Sequence, residues 1–102
     1  METLNQNLQR TIRALESLSE KPMVEVEQVE ELLDQLFQQK IDLVNYQINP
    51  ASSLLQQTTQ ALGLAATHTE EAVRQPAHVA HALPFVHEAI EKLGKLLNGS
   101  LA

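Results

Sequence analysis

Cysteine and tryptophan are absent from the 102 residues, aromatic side chains make up 3%, and there are only three glycines and four prolines. Without cysteine there is no disulfide scaffold, no thiolate metal site and no cysteine nucleophile. So few aromatic and turn residues disfavour a β-sandwich or barrel. Basic residues are also scarce, Lys+Arg 7 against Asp+Glu 13, for a formal net charge of −6. That balance would repel a phosphate backbone, so no nucleic-acid partner is expected. No apolar run approaches the about 20 residues that cross a bilayer, and no basic stretch precedes an apolar one at the N-terminus, so no membrane partner and a cytoplasmic location are expected.

What is present is leucine-rich helical periodicity. The expectation is an all-α fold: one domain over 1–102, a small antiparallel bundle of about four helices. Leu4, Leu8, Thr11 or Ile12, Leu15 and Leu18 recur at steps of three and four, placing a first helix over Glu2 to Ser19. Pro22 then biases the chain into a turn. A second helix spans Val24 to Gln47, with Val29, Leu33, Leu36, Phe37, Ile41, Val44 and Ile48 on its main stripe. Val26, Leu32, Leu43 and Tyr46 lie away from that stripe, as a second apolar face. Glu25 and Glu27 suit the positive end of the helix dipole.

Asn49-Pro50 ends that helix and opens a third, whose face is built from smaller residues: Thr58, Ala61, Ala65 and Ala66 beside Leu54, Leu55 and Leu62. It stops either near Ala66, where Thr67 and Glu70 could form a capping box, or at Gln75 before Pro76. The last helix covers Ala77 to Asn98, and Pro84 predicts a kink there, or a short helix breaking into a longer one. Residues 8–15 and 55–62 share Leu, Gln, Thr, Ala and Leu at the same offsets, and Val29 to Leu36 loosely echoes Val86 to Leu93. The order matches two helical hairpins in a pseudo-symmetric bundle.

Two functional classes follow. Glu16, Glu20, Glu25, Glu27, Glu30, Glu31 and Asp34 form an acidic band against a single Lys21, whereas the first helix carries Arg10 and Arg13. Acidic charge beside a second apolar face points to a protein-interaction module, an adaptor or chaperone-like chain, binding through Val26, Leu32, Leu43 and Tyr46 with Glu27, Glu30 and Glu31. Its partner would be another protein, basic or amphipathic, and a homodimer is the commonest self-association. Small acidic secretion chaperones resemble it in size, charge and helicity, without any shared motif. On this reading the chain is no enzyme and holds no cofactor or metal.

The alternative class uses the four histidines, His68, His78, His81 and His87. His78 and His81, three apart, would share a helical face able to hold one metal ion, but a third ligand is lacking. His81-Ala82-Leu83 resembles the active-site stretch of histidine phosphotransfer domains, which implies an exposed phosphoryl-accepting histidine on a helical bundle. The likeness covers three residues and ends at Pro84, where that family has a lysine followed by a small residue. Phosphoryl charge would there lack its cation.

Overall fold

A computed structural model describes residues 3–47 and 49–99. Glu2, placed at the start of the first helix, and Ile48, placed on the stripe of the second, lie outside the described residues. Four α-helices are present, α1 (Leu4–Ser19), α2 (Val26–Val44), α3 (Ser53–Arg74) and α4 (Val79–Gly99), with a 3-10 turn over Pro76–His78 and no strand among the described residues.

Helix α1 starts at a capping box. The Thr3 hydroxyl accepts from the Gln6 amide (3.1 Å) and the Gln6 side chain accepts from the Thr3 amide (2.8 Å), which satisfies two donors that the first turn would otherwise leave open. Its buried stripe of Leu4, Leu8, Ile12, Leu15 and Leu18 is the one the sequence predicts. Helix α3 is capped by Ser52, whose hydroxyl accepts from the Leu55 amide. Asn49 does not cap it and closes the preceding turn, accepting from the Ala51 amide (3.0 Å). Helix α3 then runs unbroken past Thr67, whose hydroxyl donates to the Gly63 carbonyl one turn back (3.0 Å) instead of capping a new helix.

The final segment is broken at Pro76, where the 3-10 turn precedes α4. Pro84 lies inside continuous helix. It removes one donor near the start of α4, and the carbonyl so released belongs to the exposed Ala80, where water can take it.

Side-chain bonds fix the helix directions. Lys40 donates to Gln9 (2.8 Å) and Thr58 lies against Lys92, so α2 is antiparallel to α1 and α4 to α3. Asn7 meets Thr59 and Thr11 meets Leu62, so α1 and α3 run parallel; Gln28 meets His87 and Gln39 meets Ile90, so α2 and α4 do too. The main contacts join α1 with α2, α2 with α4, α4 with α3 and α3 with α1. Two hairpins are therefore stacked in the same sense, α1 over α3 and α2 over α4. The sequence echo falls on equally buried positions, though in the stack Thr11 meets Leu62 and not Thr58. Thr11 and Thr58 are both fully buried, and each hydroxyl is shared between the carbonyl four residues back and one on a neighbouring helix, Leu62 or Lys92. Val29 and Val86, Leu36 and Leu93 are likewise fully buried.

Candidate functional site

Helix α2 turns a different side inward from the one its periodicity suggests. Val29, Leu32, Leu33 and Leu36 are buried, and Leu43 and Tyr46 pack against the core. Leu32, expected on a partner-binding face, is 1% exposed and cannot touch a partner in the folded chain. The correction continues along the C-terminal half. Phe37, Ile41 and Val44, expected inside, are 37%, 61% and 80% exposed. An inward arc through positions 29, 32, 36 and 43 leaves positions 37, 41 and 44 rotated about 90–150° away from its centre, at 100° per residue.

Of the other predicted contact residues, Val26 is half-buried at the start of α2, while Glu27, Glu30 and Glu31 are exposed. Glu27, Glu30, Asp34, Phe37, Ile41 and Val44 follow one another at steps of three, four, three, four and three, and all six are exposed. Residues at those steps lie above one another on a helix. The outer side of α2 is thus one continuous stripe, acidic over its first half and apolar over its second. Sequence reasoning found the acids but took their apolar continuation as core.

The opposite electrostatic character is found between α1 and α3. A cleft of about 250 Å³ there is lined by Arg10, Arg13, Ala14, Ser17, Glu70 and Val73. A second, about 460 Å³, adjoins it and is lined by Asn7, Arg10, Gln60, Gly63, Leu64 and Thr67. Arg10 separates the two, gripping Glu70 with two bonds, Nε to Oε2 at 3.1 Å and Nη2 to Oε1 at 2.6 Å. That bond, with the charges of Arg10 and Arg74, holds the Glu70 carboxyl below its ordinary value of 4.5 against the opposing effect of burial. A depressed carboxylate stabilises the fold above its unfolded value and loses that contribution as pH falls through the folded one. The side chains are 30% and 40% exposed, which limits the pair to about 1 kcal/mol. Arg10→Met is expected to flatten this part of the acid limb, measured as the difference in urea midpoint between neutral pH and pH below 4.5. An unchanged difference would mean that the pair contributes nothing.

The histidines are divided among separate partners. The His68 ring stacks on Phe85 with centroids 3.9 Å apart and planes at 15°, and His81 meets both edge-on at 5.3 and 5.7 Å. His78 sits in the 3-10 turn with Nδ1 3.1 Å from a Glu71 carboxylate oxygen, and His87 lies 3.3 Å from the Gln28 amide nitrogen. The His78–His81 pairing suggested by spacing is replaced by His81 with His68 and His78 with Glu71. No group of three or more histidine or acidic side chains among the described residues is placed to hold a metal ion. No described helix is long and apolar enough to cross a membrane. No family model matches the chain, and no curated protein or solved structure shows significant similarity to it.

Proposed function

We propose that the protein is a protein-interaction module, adaptor-like or chaperone-like and not an enzyme, whose docking surface is the outer stripe of α2. The observation that carries this reading is the stripe itself: three exposed acids continued, in helical register, by three exposed apolar side chains. Solvated helix faces are normally polar throughout, and an apolar ridge left in water has an unfavourable hydration that a partner would relieve. The complementary surface offers apolar side chains opposite Phe37, Ile41 and Val44 and Lys or Arg opposite Glu27, Glu30 and Asp34. The apolar half contributes most of the affinity, and the charges steer encounter and fix orientation. The 19-residue helix α2 is about 28 Å long, so a contact confined to it belongs with the smaller, reversible interfaces.

The test is titration of a labelled synthetic amphipathic helix, leucines on one half of its face and lysines on the other. Micromolar binding is expected, weakening at least tenfold with Ile41→Lys and weakening also with added salt, because exposed charges are screened. Equal binding to the wild type and to Ile41→Lys or Glu30→Lys would reject the stripe as the site.

A further inference from the structure

We infer that the surface fitted by the α2 stripe is carried by a second copy of this chain, as the α1–α3 face with its two clefts. The inference rests on the docking role of the stripe proposed above and names its partner.

Three of the chain's seven basic residues lie along this face, Arg10 and Arg13 midway along α1 and Arg74 at the C-terminal end of α3; the other four are lysines dispersed over the α1–α2 turn, α2 and α4. Arg10 and Arg13 line the smaller cleft, and Arg74 is close enough to act on the Glu70 carboxyl within it. Toward the N-terminal ends, the face changes character at the larger cleft, where the half-exposed Leu64 stands among the uncharged Asn7, Gln60, Gly63 and Thr67, with Arg10 at the boundary. Along α1 and α3 the order is therefore an uncharged stretch carrying the exposed Leu64, then a basic one. Along α2 it is acidic, then apolar. Laid antiparallel on this face, the stripe of another molecule sets Glu30 and Asp34 against the arginines and Ile41 against Leu64.

The lengths agree. Glu30 to Ile41 is a rise of about 16 Å and Leu64 to Arg74 about 15 Å at 1.5 Å per residue.

A single molecule cannot satisfy its own surfaces in this way. Helix α2 packs on α1 and α4, and its stripe points outward from them, away from the α1–α3 face. Nor does a two-fold contact between two α2 stripes fit over their full length. Parallel, it sets acid on acid; antiparallel, it sets acid on apolar. The contact is therefore heterologous: each copy offers its stripe to one neighbour and its α1–α3 face to another, so that the assembly closes as a ring or extends as a chain.

Light scattering across a range of protein concentrations tests this. The wild type is expected to gain mass with concentration and to lose it with added salt. Arg13→Glu with Arg74→Glu, which spoils one surface, and Glu30→Arg with Asp34→Arg, which spoils the other, should each be monomeric alone. All four positions are exposed, and unchanged far-ultraviolet circular dichroism checks that both variants fold. Mixed, the two variants should associate, because one keeps an intact stripe and the other an intact α1–α3 face.

A wild type that stays monomeric, a mixture that stays monomeric, or an Arg13→Glu/Arg74→Glu variant that still self-associates would each overturn the inference; the last is the signature of a two-fold α2 contact. The leucine–lysine helix separates this failure from that of the docking reading. If it still binds the arginine-deficient variant through Ile41, the stripe is a docking site for another protein; if it does not, both fall.

Discussion

Replacing Leu32 by alanine is expected to cost about 2–5 kcal/mol of folding stability, and replacing Ile41 by serine less than about 1 kcal/mol. The two positions are both large aliphatics on one helix. They differ in that Leu32 is 1% exposed and Ile41 is 61% exposed. Truncating Leu32 removes buried methyl groups and leaves a cavity, because neighbours such as Val29 and Leu36 are held by their own packing and can collapse only in part. At Ile41 little area is withdrawn from water to begin with, and serine is about as tolerable as isoleucine in a helix. The loss at Leu32 is a large share of the 5–15 kcal/mol that holds a domain together. In a chain of this size each kcal/mol moves the thermal midpoint by about 4–8 °C, so the contrast is readable by calorimetry as well as by denaturant. Equal costs would show that α2 has no preferred inner side, and the reverse order would return Phe37, Ile41 and Val44 to the core and remove the docking stripe.

That contrast also marks where the sequence is legible. In α1 the positions between Leu4, Leu8, Ile12, Leu15 and Leu18 are mostly polar, so only one stripe could turn inward, and it does. In α2 the apolar positions are too many for one stripe. Leu32, Leu36, Leu33, Phe37 and Ile41 span about half of the helix circumference, and periodicity cannot say which arc meets the neighbours. The answer depends on where α1 and α4 lie, which is tertiary information. Helix existence was readable for all four segments. Ends were less so, because a threonine followed three residues on by glutamate can cap a helix or, like Thr67, bond back within one. The α1–α3 face was not legible at all. Short turns fix the partners within each hairpin, but whether α1 then lies beside α3 or beside α4 is decided by how the hairpins stack, and a sequence with two similar hairpins allows both. Arg10 and Arg13 were visible as charges; that they share a face with Arg74 was not.

Gly63→Leu is expected to destabilise the fold by about 2–5 kcal/mol, by pushing apart the two helices that form that face. Glycine in mid-helix is otherwise a liability of up to about 1 kcal/mol relative to alanine, so its presence in α3 calls for a packing reason. The reason is Asn7. A Cβ at position 63 would lie 3.2 Å from the Asn7 side-chain nitrogen, which is buried and donates to the Thr59 carbonyl at 2.9 Å. Among the described residues the Asn7 oxygen has no hydrogen-bond partner, so the bond to the Thr59 carbonyl is what this buried amide stands to lose by moving. A leucine at 63 must therefore displace α1 and strand the Asn7 amide. One turn along, the shared bond of Thr11 to the Leu62 carbonyl would lengthen with it.

Alanine is the sharper probe, since its helix propensity and its steric demand oppose each other. In the wild type the two should nearly cancel. With Asn7→Ala the obstruction is gone, and Gly63→Ala should then stabilise by up to about 1 kcal/mol. A double-mutant cycle from denaturant midpoints measures that coupling directly. Additive effects, or a Gly63→Leu variant as stable as the wild type, would mean that α1 and α3 are not held close at this point, and the clefts lined by Asn7, Arg10 and Gly63 would lose the close helix contact that shapes them.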